Sequence, residues 1–258
     1  LQMAAEYGAK VINISGGEYS TSATAHPILA DAVRRCVRDG ILIVAAAGND
    51  GCQCVHVPGS LPSVLPVGAM DANGRPFEFS NWGKEYFNAG VVAIGQDILG
   101  AEPGGRVVAK TGTSFATPIV AGVVGLLLDL QRRVGGRLDA QRVRDAIVTS
   151  AHRADCDPVS ECQRLLAGRL NIRGATTLVL NRDKLMQEAD RPTTEPLHPG
   201  RPAAVTIPSP QPIEAAISAG VAPSACGCNG GGGAGSKPLP QIIFALGKIG
   251  YDLQTEAR

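Results

Sequence analysis

VINISGGEYSTSATAHPILADAVRRCVRDGILIVAAAGND, residues 11–50, decides the fold. VINIS (11–15) is a short β-branched run that reads as a buried strand. PILADAVRRCVRD (27–39) repeats apolar residues at helical spacing, ends in basic residues and meets Gly40, so it reads as an amphipathic helix with a glycine stop. ILIVAAA (41–47) is the next strand. Strand, helix and strand make one βαβ unit, whose crossover is right-handed in almost every known case.

The same rhythm continues outward to about Leu180, as expected of an α/β fold with a parallel sheet flanked by helices. SVLPVGAMD (63–71) reads as a strand, DANG (71–74) as a turn leading to FEFSNWG (77–83), and VVAI (91–94) and RVVAK (106–110) as further short strands. GTSFATPIVAGVVGLLLDLQRRV (112–134) is apolar nearly all round, which marks a central, buried helix. Asp139 is placed to cap a helix running to about Ser150. Beyond about Arg191 the composition changes. Ten of the 18 prolines fall between Pro192 and Pro240, together with NGGGGAGSK (229–237), and so large a share marks a linker without a core. The expected organisation is a catalytic-type domain over 1–185, a linker over 186–240 and the start of another domain over 241–258, where QIIFALGKIGYDLQTEAR regains apolar periodicity.

Composition limits the function. In 258 residues there are 24 Lys+Arg against 23 Asp+Glu, a net charge of +1, so no basic stripe is expected for nucleic acid. The longest apolar run, Phe115 to Leu128, falls short of the roughly 20 residues that span a bilayer, and no membrane association is expected. No secretory signal opens the chain, and its start at Leu1 suggests a piece of something longer.

The seven cysteines are too sparse for a disulfide-stapled secreted domain, which makes reduced thiols and a cytoplasmic location the default. Cys156 and Cys162 could close a small loop, and Cys52, Cys54, Cys226 and Cys228 could offer four thiolates to zinc. Structural zinc knuckles favour C-x2-C turns, so no metal and no other cofactor is expected. GGGGAGSK (230–237) is no phosphate loop, because Ser236 precedes Lys237 and Pro238 follows.

Three short blocks carry the chemistry. GTSFATP (112–118) puts Ser114 at a strand-to-helix junction, with glycine before it for close backbone approach and a proline tolerated in the first helical turn. Helix amides and dipole there favour developing negative charge. AAAGND (45–50) ends a strand with Gly48 and Asn49, an amide donor on a loop at the sheet's carboxyl edge. Ser15-Gly16-Gly17 leaves a strand edge clear for an extended peptide. Each block alone is equally a turn or a helix cap, and their ordered combination is what argues for a site.

In that order, VINISGG, AAAGN and GTSFATP resemble the substrate-binding strand, oxyanion loop and nucleophile helix of the subtilisin-like serine proteases over roughly residues 1–180. The resemblance implies Ser114 as nucleophile and Asn49, with the Ser114 amide, as the oxyanion hole. It implies that Ser15, Gly16, Gly17, Ala45, Ala46, Ala47 and Gly48 line the first subsites. The family also uses an Asp in a D-[ST]-G strand end and a His in an H-G-T helix start, both upstream of VINIS, and neither motif occurs in these 258 residues. The segment alone is therefore expected to be inactive, and a sheet without those strands is expected to show an apolar edge.

A narrower resemblance, carried by 48–83 with its C-x-C loop and by FALGKIGYDLQTEAR (244–258), is to the cyanobactin maturation proteases. It implies a precursor peptide as substrate, with hydrolysis or macrocyclisation as the outcome. The alternative is a non-catalytic peptide-binding module that keeps the groove without the base. Nothing in the sequence fixes an oligomeric state.

Overall fold

A computed structural model describes residues 1–20, 24–153, 159–189 and 241–245. In chain order the elements are α1 (Gln2–Glu6), β1 (Ala9–Ile14), β2 (Glu18–Ser20), α2 (Pro27–Arg38), β3 (Leu42–Ala46), β4 (Val55–Val57), β5 (Leu65–Met70) and β6 (Val91–Ile94). There follow β7 (Ile98–Glu102), β8 (Arg106–Lys110), α3 (Thr113–Arg133), α4 (Ala140–Ser150), α5 (Val159–Arg164), α6 (Ile172–Ala189) and β9 (Gln241–Ala245). A five-stranded parallel sheet has the order β6-β5-β3-β1-β9.

The strands are apolar throughout because both faces of the sheet are covered, and alternate residues serve different layers. Val11, Leu42, Val44, Leu65 and Val67 pack with Val120, Ala121, Val124 and Leu128 of α3. Their neighbours Ile12, Ile43 and Ala45 pack with Val33 and Cys36 of α2. The expected βαβ unit is thus β1–α2–β3. His26 caps α2 by accepting from the Ile28 amide at 3.3 Å, Pro27 opens it, and Arg35 and Arg38 lie in its last turn.

Helix α3 is the core element foreseen, with two corrections. At 21 residues it is long and apolar enough to cross a membrane, so run length does not argue against a span. Its packing does, since Val120, Ala121 and Val124 are fully buried under the sheet. Pro118 is the sixth residue of the helix, beyond the first turn, and its missing N–H removes the partner of the Ser114 carbonyl. Near the other end, the Arg133 and Arg132 guanidinium groups hold the Asp129 carboxyl below its usual range. Asp139 caps α4 as expected, accepting from the Arg142 amide at 3.0 Å.

The outer edge of β1 is not open. β9 pairs with it in parallel, Ile12 opposite Ile243 and Ile14 opposite Ala245. Helix α6 runs on to Ala189, past the boundary expected at 185. The rest of the expected linker, 190–240, and residues 246–258 lie outside the described residues.

The cysteines correct a second expectation. Cys52 and Cys54 form a disulfide, with Cα atoms 5.1 Å apart, and so do not offer thiolates to zinc. Cys162 is also disulfide-bonded, while its expected partner Cys156 and the pair Cys226 and Cys228 lie outside the described residues. Cys36 is free, and burial pushes its thiol pKa up. The cytoplasmic expectation rested on reduced thiols and loses that support at Cys52–Cys54.

Candidate active site

Gly112 joins β8 to α3 with φ +154°, and its amide donates to Gly95 O at 2.9 Å, which ties the helix start to the end of β6. A Cβ on the facing Gly95 would lie 2.7 Å from Gly112 O, so the approach requires a glycine there. Ser114 is half-buried at the second position of α3. Its amide belongs to the first four of the helix, which have no intrahelical acceptor, and it points with the positive end of the helix dipole.

Asn49 reaches the same helix start from the loop after β3. Its Oδ1 accepts from the Thr113 amide at 3.0 Å and from Thr113 Oγ1 at 2.9 Å. A backbone N–H only donates, so the atom facing it must be the side-chain oxygen. The Asn49 Nδ2 group is thereby left as a donor at the helix start, where Ser114 follows Thr113, and a donor there together with the Ser114 amide is of the kind that can hold a developing oxyanion.

Buried polar side chains hold that loop. Asn81, fully buried, accepts from the Asp50 amide at 2.8 Å through Oδ1 and donates to Asp50 Oδ2 at 2.7 Å through Nδ2. Its own amide donates to Gly48 O at 3.1 Å. The Tyr86 hydroxyl donates to Ala47 O at 3.0 Å and accepts from the His56 amide at 2.7 Å. Burial drives the Tyr86 pKa up, so it stays a neutral donor.

A subtilase family model matches residues 1–188. The chain belongs to the subtilase family. A thermostable alkaline protease of Halalkalibacterium halodurans is 42% identical over 117 residues, 45% of this subtilase chain and 30% of that protein's length. Among solved structures, the patellamide maturation protease PatA is 51% identical with a TM-score of 0.68, covering 70% of this chain and 66% of its own. The PatG macrocyclase in complex with peptide is 36% identical with a TM-score of 0.66, covering 69% and 54% respectively. This subtilase chain therefore spans about a third of that curated relative and two thirds or less of these solved neighbours.

The subtilase's expected subsite segments flank the Asn49 loop. Ser15 is buried, and its Oγ accepts from Asn13 Nδ2 at 2.9 Å, so it is the following Gly16 and Gly17 that offer an edge. Ala45, Ala46, Ala47 and Gly48 are all buried. None of the described histidines is recorded in contact with Ser114. His26 caps α2, the His152 backbone bridges Arg169, and His56 Nε2 lies 2.7 Å from Asp50 Oδ2, while His198 lies outside the described residues.

Sequence reasoning names Ser114 and Asn49, which the structure brings to one helix start, and misses Thr113, Asn81, Tyr86 and His56, which fix or border them. Nothing local marks Tyr86. A cleft of about 420 Å³ between α1 and α2 contains none of the site residues.

Proposed function

We propose that this chain carries the nucleophile and oxyanion-hole half of a serine endopeptidase that cuts a ribosomally made precursor peptide. The observation that carries the reading is the Asn49 side chain, whose oxygen is taken by Thr113, the residue before Ser114, so that its amide donor stays free at the helix start. In the reaction, Ser114 Oγ adds to the scissile carbonyl and gives its proton to a base, and the carbonyl oxygen becomes an anion held by Asn49 Nδ2 and the Ser114 amide. The protonated base then hands the proton to the leaving amine, and an acyl-enzyme remains. The family's Asp and His motifs are not in these 258 residues, so the proposal assigns the base and its orienting carboxylate to a segment outside them.

The precursor-peptide substrate is supported by the likeness to PatA, a maturation protease, and to PatG, a macrocyclase solved with a peptide. Water would resolve the acyl-enzyme to an acid, and a substrate amine would resolve it to a macrocycle. The test is a fluorophosphonate probe on the full-length protein. We expect covalent labelling of Ser114, located by mass spectrometry and lost in Ser114→Ala. Folded protein that is not labelled but binds peptide would replace this reading with the binding-only module.

A further inference from the structure

We propose that the Cys52–Cys54 disulfide is a thiol–disulfide exchange site for a dithiol reductant, and that opening it draws the Asn49 donor out of position. The effect on turnover rests on the reading of Asn49 given above, whereas the exchange itself does not.

The bridge joins residues two apart. A disulfide stabilises a fold more the longer the loop it closes, so one that closes only residues 52–54 adds little stability. Its place says more, because Asn49 precedes it in the same loop. On the Asn49 side, Asn81 Oδ1 accepts from the Asp50 amide at 2.8 Å and the Gly51 amide donates to Phe79 O at 2.8 Å. On the β4 side, the His56 amide donates to the Tyr86 hydroxyl at 2.7 Å. Between these ties the hold is weaker, with the Trp82 amide 3.2 Å from Cys52 O and a single bridge from Gln53 to Trp82. The disulfide therefore closes the part of the loop that hydrogen bonds hold least.

A reductant can reach it. A cleft of about 390 Å³ opens beside Gln53 and Cys54, Gln53 is exposed and Cys52 is half-buried. One thiolate of the reductant attacks the Cys54 sulfur from the cleft, the S–S bond breaks, and the Cys52 sulfur leaves as a thiolate that takes up a proton. The second thiol of the reductant gives up its proton and attacks the reductant's own sulfur in the mixed disulfide. That releases the Cys54 thiolate, which is protonated in turn. The reductant ends as a disulfide, and Cys52 and Cys54 end as two thiols that have gained its two electrons. Once the bond is gone, nothing keeps the two Cα atoms at 5.1 Å, and an extended chain spaces such residues by about 7 Å. The slack enters between the Asn81 and Tyr86 ties and reaches Asn49 through Gly51 and Asp50. A displacement of about 1 Å in a group that acts on the transition state can cost on the order of 10² in rate.

The test places the full-length protein in a series of dithiothreitol mixtures, reduced against oxidised. After acid quenching and alkylation, mass spectrometry reads the fraction of Cys52–Cys54 opened, separately from the disulfide at Cys162. Hydrogen exchange at the Asp50, Gly51 and His56 amides reads the loop, and steady-state kinetics on a peptide substrate reads turnover. As the bridge opens, we expect amide exchange to rise about tenfold and kcat to fall about tenfold, with KM changed by less than about twofold and full recovery on reoxidation. The double variant Cys52→Ser, Cys54→Ser should show the reduced-form kcat in every mixture. A bridge that stays closed while the protein remains folded, or one that opens with amide exchange and kcat unchanged, overturns the proposal on the wild type alone. A folded double variant that still loses turnover on reduction also overturns it, because the loss would then come from Cys162. Fluorophosphonate labelling of Ser114 in the oxidised protein runs alongside. Labelling together with a loop that ignores the bridge defeats this inference alone, and no labelling together with amide exchange that follows the bridge defeats the acyl-transfer reading alone.

Discussion

The loop that follows β3, residues 47–57, and the β7–β8 hairpin, residues 98–110, lead to the two sides of the same site and are built in opposite ways. In the loop, the carbonyls of Ala47 and Gly48, the amides of Asp50 and His56 and the Asp50 carboxylate all bond to Asn81 or Tyr86, both fully buried. In the hairpin, the strands pair with each other as a separate two-stranded sheet, with Leu99 72% and Val107 68% exposed. Its charged contacts, such as Arg106 to Glu102 at 2.7 Å, are of the surface kind that contributes little. The difference shows how each of the two proposed catalytic groups is placed. Asn49 is held by directional bonds from distant side chains, whereas Ser114 is held by the packing of α3 and the Gly112–Gly95 bond, with little required of the hairpin that precedes it.

The largest effect should come from the group that the loop exists to present. In the full-length enzyme, Asn49→Ala should lower kcat by about 10² to 10³ with little change in KM, because Nδ2 acts on charge that develops only in the transition state. Steady-state kinetics on a peptide substrate checks this. An unaltered kcat would remove Asn49 from the mechanism and leave the rigidity of its loop without a catalytic reason.

The next effect concerns the anchor itself. Asn81→Ala removes a fully buried side chain that bonds both the Asp50 amide and the Asp50 carboxylate, and should cost about 1–3 kcal/mol of stability. Urea denaturation of both forms measures it. Because Gly48 and Asp50 flank Asn49, kcat should fall as well. A variant with full stability but reduced kcat would show that Asn81 sets the position of the loop without stabilising the fold.

The same contrast explains what the sequence made legible. Strands β1, β3, β5 and β6 were readable because burial on both faces demands unbroken apolar runs, and α3 because burial all round does the same for a helix. Ser114 and Asn49 stand out as candidates in the sequence because they lie at element ends marked by Gly112 and Gly48. Asn81, Tyr86 and His56 do not, since their partners lie 30 or more residues away and no periodicity marks a side chain that bonds across loops. The β1–β9 pairing is hidden for a related reason, because a short apolar run names no partner strand across so long a separation. The Cys52 and Cys54 spacing was visible, but whether it meant a metal ligand pair or a disulfide depended on how the loop brings the two sulfurs together.

The smallest effect belongs to the hairpin. Leu99 and Val107 are apolar side chains that project from it, so Leu99→Ser and Val107→Ser should each change stability by no more than about 0.5 kcal/mol. Both should leave fluorophosphonate labelling of Ser114 intact if α3 alone positions the serine. Thermal denaturation at two protein concentrations sharpens the comparison. A clear loss of Tm independent of concentration would mean that the hairpin packs against another part of the same full-length chain. A loss that grows with concentration would mean that these two side chains meet a second copy, and that the serine's side of the site is supported from outside while the asparagine's side is supported from within.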